Sequence, residues 1–374
     1  MVHVSNPILI DREPYTPGLS REYVAGLTGL PLDAVAKLGS AENPFGASPL
    51  AQAAVADSLG ILDIYPSWTN ESLRRAIAAR YGVAADQVVC GAGETEIIAT
   101  LIRTFAAPGE TVLMMEPCFP IYHIYTENDG RVPVYVPLGR DFTLPIEAFI
   151  EQLRALRPAI AFITNPHSPS GRFMTEADIR QICDAAGDTL VVLDEAYIHF
   201  TETDGSIHLL PDYPSLIVLR TFSKAFGLAG LRIGFGVAAA SIIQPLWNAK
   251  PTWNLGQAQL AGGIAALKDD VHVKRTVAMV AEMRSYVAQR LSGLRAFRMV
   301  PQSRANFFLV EILDTDRFDS TGVFEALLKR GVIVKDGSIS FRGLGKRFLR
   351  VDVSLQRHMD RFADALAEIE REGS

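Results

Sequence analysis

One lysine and several phosphate-binding side-chain types lie close together between residues 215 and 235. Lys224 follows a short apolar run and stands between Phe222 and Phe226. Apolar surroundings disfavour the ammonium form, so we expect a lowered lysine pKa and a free amine available for Schiff-base chemistry. The neighbouring side chains that together could bind a phosphate dianion are Thr221, Ser223 and Arg232. The simpler alternative is a strand-to-loop turn whose lysine extends along apolar surface into water.

Residues 221–234, TFSKAFGLAGLRIG, resemble the lysine motif of fold-type I, pyridoxal-phosphate-dependent aminotransferases. In detail the segment is similar to the histidinol-phosphate aminotransferase branch, and further motifs follow the family's order along the chain. The resemblance implies that Lys224 binds pyridoxal 5′-phosphate as a Schiff base. It also implies that the released Lys224 amine moves the substrate's Cα proton, first as general base and then as general acid.

The segment CGAGETE, residues 90–96, is typical of a strand, a glycine turn and a helix start. Free amides at Gly93, Glu94 and Thr95, with the positive end of the helix dipole, would form an anion site. Ordinary helix capping by acidic residues is the alternative. The resemblance assigns this turn to the cofactor phosphate.

Asp194 ends an apolar segment, where an unpaired carboxylate would be costly. A helix N-cap is the alternative role for this aspartate. The resemblance supplies a protonated pyridine nitrogen as its partner, and Tyr197 as a donor to the ring 3′-oxygen.

Aromatic residues complete the implied cofactor site. Phe119, in a Pro-x-aromatic turn, matches the family's ring that stacks on the pyridine, with Tyr122 as a less favoured substitute. Tyr65 matches a tyrosine that reaches the cofactor phosphate of the partner subunit, which implies a homodimer with two shared sites.

The segment NPHSPSG, residues 165–171, departs from the family's Asn-Pro-x-Asn-Pro-Thr-Gly. Ser168 replaces the asparagine that donates to the 3′-oxygen. Either Ser168 still makes this bond, directly or through water, or Tyr197 makes it alone. The changed donor favours an alternative on the same scaffold, namely a decarboxylase, lyase or cyclase.

Four further residues match substrate-binding positions. Arg350 matches the arginine that clamps the substrate α-carboxylate, although a strand arginine alone is more often part of a surface ion pair. Asn43 matches an asparagine that helps to hold this carboxylate, and Tyr15 resembles an arm tyrosine that contacts the substrate side chain across the dimer. In the histidinol-phosphate branch, an arginine near the position of Lys335 helps to bind the substrate phosphate. Lysine can neutralise a phosphate but lacks the planar pair of donors of a guanidinium group. The expected reaction transfers an amino group between an amino acid, or histidinol phosphate, and an oxo acid such as 2-oxoglutarate.

Short apolar segments that alternate with helical ones must position these side chains. The pattern predicts strands at 87–90, 111–115, 132–136, 160–164, 190–193, 216–219 and 233–237, and helices at 49–59, 70–81, 94–105, 146–156 and 176–186. Apolar strands of this kind indicate an α/β fold with a mostly parallel central sheet and helices on both faces. Ligands in such sheets bind beyond the carboxyl ends of the strands, where the candidate residues fall.

The chain divides into three predicted parts. Residues 1–45 are rich in Pro and Gly and predict an arm that packs on the smaller domain or on the partner subunit. Residues 46–254 predict a large cofactor-binding domain, and 255–374 a smaller C-terminal α+β domain that the arm completes. In the last part we expect one long helical stretch at 257–291, strands near 306–310, 332–334 and 349–353, and a helix at 359–371.

Composition restricts the class of protein. The net charge of −6 among 374 residues argues against a general nucleic-acid or anionic-membrane surface. Three scattered cysteines without metal-ligand spacing, together with no predicted signal peptide or membrane span, favour a reduced cytoplasmic protein. A ligand-sensing regulator is a second alternative. The regulators built on this fold carry a DNA-binding domain ahead of it, and here we expect only an arm.

Overall fold

The structure, a computed structural model, describes residues 6–12, 15 and 18–373. In these ranges the strands are β1 (Ala36–Lys37), β2 (Val88–Ala92), β3 (Thr111–Glu116), β4 (Val132–Pro137), β5 (Ile160–Thr164), β6 (Leu190–Asp194), β7 (Leu216–Thr221), β8 (Ile233–Ala238), β9 (Phe297–Met299), β10 (Phe307–Ile312), β11 (Val332–Ile333), β12 (Lys335–Asp336) and β13 (Phe348–Asp352). The α-helices are α1 (Ile8–Asp11), α2 (Arg21–Thr28), α3 (Pro49–Asp57), α4 (Glu71–Tyr81), α5 (Glu94–Phe105), α6 (Pro120–Asn128), α7 (Ile146–Leu156), α8 (Glu176–Ala185), α9 (Ala240–Ala249), α10 (Gln257–Ala266), α11 (Asp270–Leu291), α12 (Ser320–Lys329), α13 (Gly337–Ser340) and α14 (Gln356–Glu372).

A seven-stranded sheet in the order β2-β8-β7-β6-β5-β3-β4 forms the centre of the fold. Strand β8 runs antiparallel to both of its neighbours, and the other pairs are parallel. The expected mostly parallel sheet is confirmed. Because β8 is reversed, Arg232 precedes it at the edge where β2 and β7 end.

Both faces of this sheet are covered, as the apolar strands predict. Along β6, Val191 and Leu193 belong to one buried cluster, whereas Leu190 and Val192 belong to the cluster on the other face. Alternate side chains of a strand point to opposite faces, so a strand buried on both sides must be apolar throughout.

A second, antiparallel sheet in the order β12-β13-β10-β9 packs with α11, α12 and α14 around its own buried cluster. Residues of the predicted arm belong to this cluster, including Ala36 and Leu38, and β1 pairs in parallel with β11. The smaller C-terminal unit therefore includes part of the N-terminal segment.

The expected single helical stretch at 257–291 is wrong, because two helices occupy it. The Asp269 side chain accepts a hydrogen bond from the His272 amide at 3.2 Å and begins α11 with an N-cap. Helix α10 packs on α3 and α4, and Leu260 lies in the core of the large sheet. We therefore move the proposed domain boundary from residue 254 to the break between α10 and α11.

Helices α6, α9 and α12 are absent from the sequence-based assignment. Pro120 at the first position of α6 and Pro245 within α9 obscured the helical pattern of these two segments. Within the described ranges, the helices are too short or too polar to cross a bilayer.

Candidate active site

Lys224 lies just beyond the carboxyl end of β7. Its Nζ donates a hydrogen bond to the Ser40 carbonyl at 3.2 Å and lies 5.6 Å from the centre of the Tyr197 ring. Burial, followed by the positive charge of Arg350, lowers the pKa of Lys224 to about 8. The pKa shift therefore has the direction expected from the sequence, and it makes the neutral amine accessible near neutral pH.

Phe222 and Phe226 contribute to the site indirectly. Their ring centroids lie 5.1 Å apart, and both rings belong to the core beneath the turn. They anchor the turn that carries the lysine, while the amine itself faces polar groups.

Hydroxyl and guanidinium groups converge beside the lysine. Thr221 Oγ1 donates to Ser223 Oγ at 3.0 Å, and Arg232 Nη1 donates to the same oxygen at 3.4 Å. Arg232 also lies against the turn that precedes α5, where a Cβ on Gly93 would come within 2.2 Å of Arg232 Nη2. The cluster and the N-terminus of α5 therefore form one concave anion site, which we call the anion cradle.

The prediction for the Gly93 amide requires a correction. Gly93 adopts φ +75°, and its N–H donates to the Arg232 carbonyl at 3.0 Å. This amide is therefore not available to a ligand, and the first-turn amides of Glu94 and Thr95 remain as candidate donors. Gly93 serves the cradle by admitting Arg232.

Asp194 ends β6 and is fully surrounded by protein. Its carboxylate accepts a hydrogen bond from the Ala196 amide at 2.9 Å and a short one from the Tyr122 hydroxyl. Burial raises the pKa of Asp194, while the hydrogen bonds from Glu94, Tyr122 and Ala196 act in the opposite direction. The aspartate is therefore a buried acceptor at a strand end, and not the N-cap of an α-helix.

Two side-chain partners of Asp194 were missed by the sequence reasoning. Tyr122, which the sequence suggests only as a substitute stacking ring, packs on Phe162 with centroids 4.5 Å apart and directs its hydroxyl at Asp194 and Thr164. Glu94, which the sequence suggests only as a backbone-amide donor, also brings its carboxyl group to Asp194. The sequence signal that could have identified the Glu94 side chain is an acidic residue that follows a buried strand and a glycine turn.

The remaining ring-side candidates lie close to Asp194 in the chain or sheet. Ser168 Oγ is buried and has no hydrogen-bond partner among the described residues. Tyr197 is buried, and its ring meets Phe307 edge-on with centroids 4.9 Å apart. Phe119 precedes α6 and meets the Tyr122 ring edge-on with centroids 5.6 Å apart.

These features fit pyridoxal 5′-phosphate. The anion cradle suits a phosphate, the buried Asp194 suits a ring nitrogen cation, and the unpartnered Ser168 hydroxyl suits a ring oxygen. Lys224 lies on the same sheet edge as all three.

The carboxylate role expected for Asn43 is not supported by its contacts. Asn43 Nδ2 donates to the Ala225 carbonyl at 2.9 Å and to Thr276 Oγ1 at 3.0 Å, and Oδ1 accepts from the Phe45 amide. Both ends of the amide are occupied, so Asn43 ties the lysine turn to α11.

Arg350 and Lys335 lie opposite each other on β13 and β12. Arg350 is buried, contacts Asp352 at 3.3 Å, and has an Nε without a hydrogen-bond partner in the described part of the chain. Burial, followed by the charge of Arg350, lowers the pKa of Lys335 to about 8. Lys335 Nζ lies 5.8 Å from the centre of the Tyr15 ring, which joins the arm to this cationic group.

Tyr65 lies away from these groups. Its side chain is 77% exposed, and its ring lies 4.8 Å from the ring of Trp253. Within one subunit it does not contribute to the site.

The chain is similar to known proteins over nearly its whole length. A family model described as aminotransferase class I and II matches residues 33–366. The chain is 37% identical to the histidinol-phosphate aminotransferase of Anaeromyxobacter sp. (strain Fw109-5), with 97% of this chain and 98% of that protein covered. It is also 37% identical to the histidinol-phosphate aminotransferase of Methanothermobacter thermautotrophicus, with 99% and 98% covered.

The fold has a close match among solved structures. The crystal structure of histidinol-phosphate aminotransferase from Sinorhizobium meliloti, in complex with pyridoxal-5′-phosphate, aligns with a TM-score of 0.89. It covers 100% of this chain and 99% of that chain. At 24% identity this likeness establishes the fold.

Proposed function

Because the chain belongs to the class I and II aminotransferase family, we propose that it is a pyridoxal-phosphate-dependent aminotransferase that acts on histidinol phosphate or a related amino acid, with 2-oxoglutarate as acceptor. One observation carries the proposal. A lysine with a lowered pKa stands between an anion cradle and a buried carboxylate at the same sheet edge.

The residues of the site have separate roles toward the cofactor. The anion cradle of Thr221, Ser223, Arg232 and the first-turn amides of α5 would hold its phosphate. Asp194 would hold the proton of the ring nitrogen, and Ser168 and Tyr197 would face the ring oxygen. When bound, the cofactor supplies an electron-withdrawing ring that stabilises negative charge at the substrate Cα.

Lys224 moves the proton. As a neutral amine, Lys224 Nζ would accept the proton of the substrate Cα, and as an ammonium it would hold that proton and return it. Its lowered pKa suits both directions, since neither protonation state is strongly favoured near neutral pH.

Arg350 orients the substrate. Its unpartnered Nε and its guanidinium plane can grip an α-carboxylate with two parallel hydrogen bonds, which fixes the direction of the Cα–H bond. Lys335 adds a second cation on the neighbouring strand, which favours a substrate with an additional anionic group such as a phosphate ester.

We further propose a homodimer in which Tyr65 reaches the partner subunit's anion cradle. The support is the exposure of Tyr65 at the end of a segment, 59–65, that presents several apolar side chains to solvent: Leu59, Ile61, Leu62 and Ile64. Apolar surface of this kind favours burial against another protein. Three buried free thiols support a cytoplasmic location.

A donor screen tests the function. Glutamate formation from 2-oxoglutarate is measured with histidinol phosphate and with a set of amino acids. Lys224→Ala should abolish turnover, and borohydride reduction should attach the cofactor at residue 224 in the unmodified protein but not in this variant. Lys329→Ala, which removes an exposed lysine, is the control and should behave as the unmodified protein.

The replacement of asparagine by Ser168 favours the second candidate, a decarboxylase, lyase or cyclase. Cofactor binding at Lys224 without glutamate formation from any donor, accompanied by release of carbon dioxide, would support a decarboxylase and reject transamination.

A further inference from the structure

Two buried carboxyl groups, those of Glu94 and Asp194, lie beside each other at the sheet edge. Glu94 is the first residue of α5, and only 8% of its surface is exposed. Its Oε1 is buried and receives no hydrogen bond from the described part of the chain. Its carboxyl group is in hydrogen-bonding contact with that of Asp194, which is also buried. The comparable first-turn residue of α7, Glu147, is exposed.

Such a pair cannot hold two negative charges at low cost. Two ionised carboxylates in contact within a buried site repel each other, and one of them therefore retains a proton. A hydrogen bond between two carboxyl groups also requires that one of them donates. The pair consequently carries one negative charge rather than two.

The surrounding donors decide which group is ionised. Asp194 accepts hydrogen bonds from the Tyr122 hydroxyl and the Ala196 amide, and both bonds favour its charged form. Glu94 Oε1 has no such donor. Burial, followed by the charge of Asp194, raises the pKa of Glu94 well above its ordinary value.

The other charged and titratable groups that face Glu94 do not reverse this assignment. They are Asp194, Tyr122, Tyr197, Lys224 and Arg232. The two cations favour ionisation of Glu94, but burial and the neighbouring carboxylate have the larger effects.

We propose that Glu94 is a positioning residue that remains protonated and donates a hydrogen bond to the Asp194 carboxylate. Three donors from three elements, α5, α6 and the backbone after β6, then fix the carboxylate at the sheet edge. The consequence for the cofactor rests on the proposed function. One negative charge, held in one orientation, faces one ring-nitrogen cation.

Infrared spectroscopy of the cofactor-free protein tests the proton directly. We expect the C=O stretch of a protonated carboxylic acid near neutral pH in the unmodified protein. It should be lost in Glu94→Gln and retained in Glu147→Gln, the control for an exposed glutamate in the first turn of a helix. A missing band in the unmodified protein, or a band that persists in Glu94→Gln, would overturn the proposal. Circular dichroism of each variant establishes that it is folded.

Cofactor titration tests the positioning role separately. The amide of Glu94→Gln can still donate to Asp194, so its dissociation constant for pyridoxal 5′-phosphate should remain within about threefold of the original. Glu94→Ala removes the donor, and we expect binding to weaken by about tenfold. Equal loss in both variants would show that a charge is required and would overturn the proposal, as would unchanged binding in Glu94→Ala. If no variant and no unmodified protein binds the cofactor, the proposed function fails, while the infrared result still decides the protonation of Glu94.

Discussion

At the scale of single residues, the site consists of charged groups that the fold holds out of water. Lys224 and Lys335 both lie near the charge of Arg350, and the pKa of each of the two lysines is lowered to about 8. Burial is the first cause in both lysines, and Arg350 is the second. An anionic cofactor and an anionic substrate would relieve the repulsion between these cations. The free protein is therefore expected to bind anions in this site.

Lys224→Met should stabilise the cofactor-free protein at neutral pH. The folded-state pKa of Lys224, about 8, lies below its ordinary value of 10.5. Between these two pH values the unfolded chain therefore binds more protons than the folded chain. The destabilisation that Lys224 causes is full below pH 8 and falls as the pH rises toward 10.5. After allowance for partial solvent exposure, we expect a gain of about 2 kcal/mol at pH 7. Denaturant unfolding at pH 7 and pH 10 measures it, with Lys329→Met as the exposed control. An equal effect at both pH values would contradict the assigned cause.

Arg350→Lys should weaken the binding of substrates that carry an α-carboxylate. Lysine keeps the charge but loses the planar pair of donors, so we expect the KM for 2-oxoglutarate to rise by about tenfold with a smaller change in kcat. Steady-state kinetics measures both constants. Arg347→Lys is the matched control, because Arg347 precedes the same strand and forms an exposed ion pair with Glu311. A change in kcat alone would assign Arg350 to another step.

At the scale of elements, the reversed strand β8 and the glycine turn after β2 form the anion cradle together. Arg232 adopts φ +53° immediately before β8, and Gly93 adopts φ +75° immediately before α5. Neither conformation is favourable for an ordinary residue, and the cradle depends on both. Only the antiparallel register Ala92↔Ile233 brings the two turns together.

Gly93→Ala should separate two effects, the backbone strain of a positive φ and the displacement of Arg232 by a Cβ. A Cβ at Gly93 would lie 2.2 Å from Arg232 Nη2, whereas a Cβ at Gly109, with φ +86°, would meet no described atom within 4 Å. Both alanine variants should lose about 1 kcal/mol of stability from the positive φ. Only Gly93→Ala should also bind pyridoxal 5′-phosphate at least about tenfold more weakly, because Arg232 is displaced. Thermal unfolding and cofactor titration measure the two effects. Comparable affinity in both variants would remove Arg232 from the phosphate site.

At the scale of the whole molecule, the 59–65 segment and Trp253 present apolar side chains to solvent. The ring of Tyr65 rests beside that of Trp253 and directs no group toward the site of its own subunit. A second copy of the chain would bury this surface and give Tyr65 a role.

Leu62→Glu should therefore yield a monomer. An ionised carboxylate in a buried apolar interface lacks a partner and disfavours association. Sedimentation or light scattering measures the mass, and we expect cofactor binding to weaken with the loss of the partner subunit's Tyr65. Leu313→Glu introduces the same charge at an exposed leucine of the smaller unit and should leave the oligomeric state unchanged. A monomeric unmodified protein would reject the homodimer.

The sequence alone was sufficient to recognise candidate site residues at the ends of strands. Local patterns indicate which segments are buried and which turns need glycine. These patterns singled out Lys224 and Asp194 as candidates, whereas their roles toward a cofactor were implied by the resemblance of the TFSKAFGLAGLRIG segment to a known family. The α/β class followed from strands that are apolar on both faces. Partners distant in sequence were decided only by the tertiary structure. Asn43 binds backbone and a helix side chain, the Gly93 amide is used by Arg232, and Glu94 meets Asp194. The physical reason is that a hydrogen bond depends on the placement of two groups, whereas a sequence pattern describes the surroundings of one.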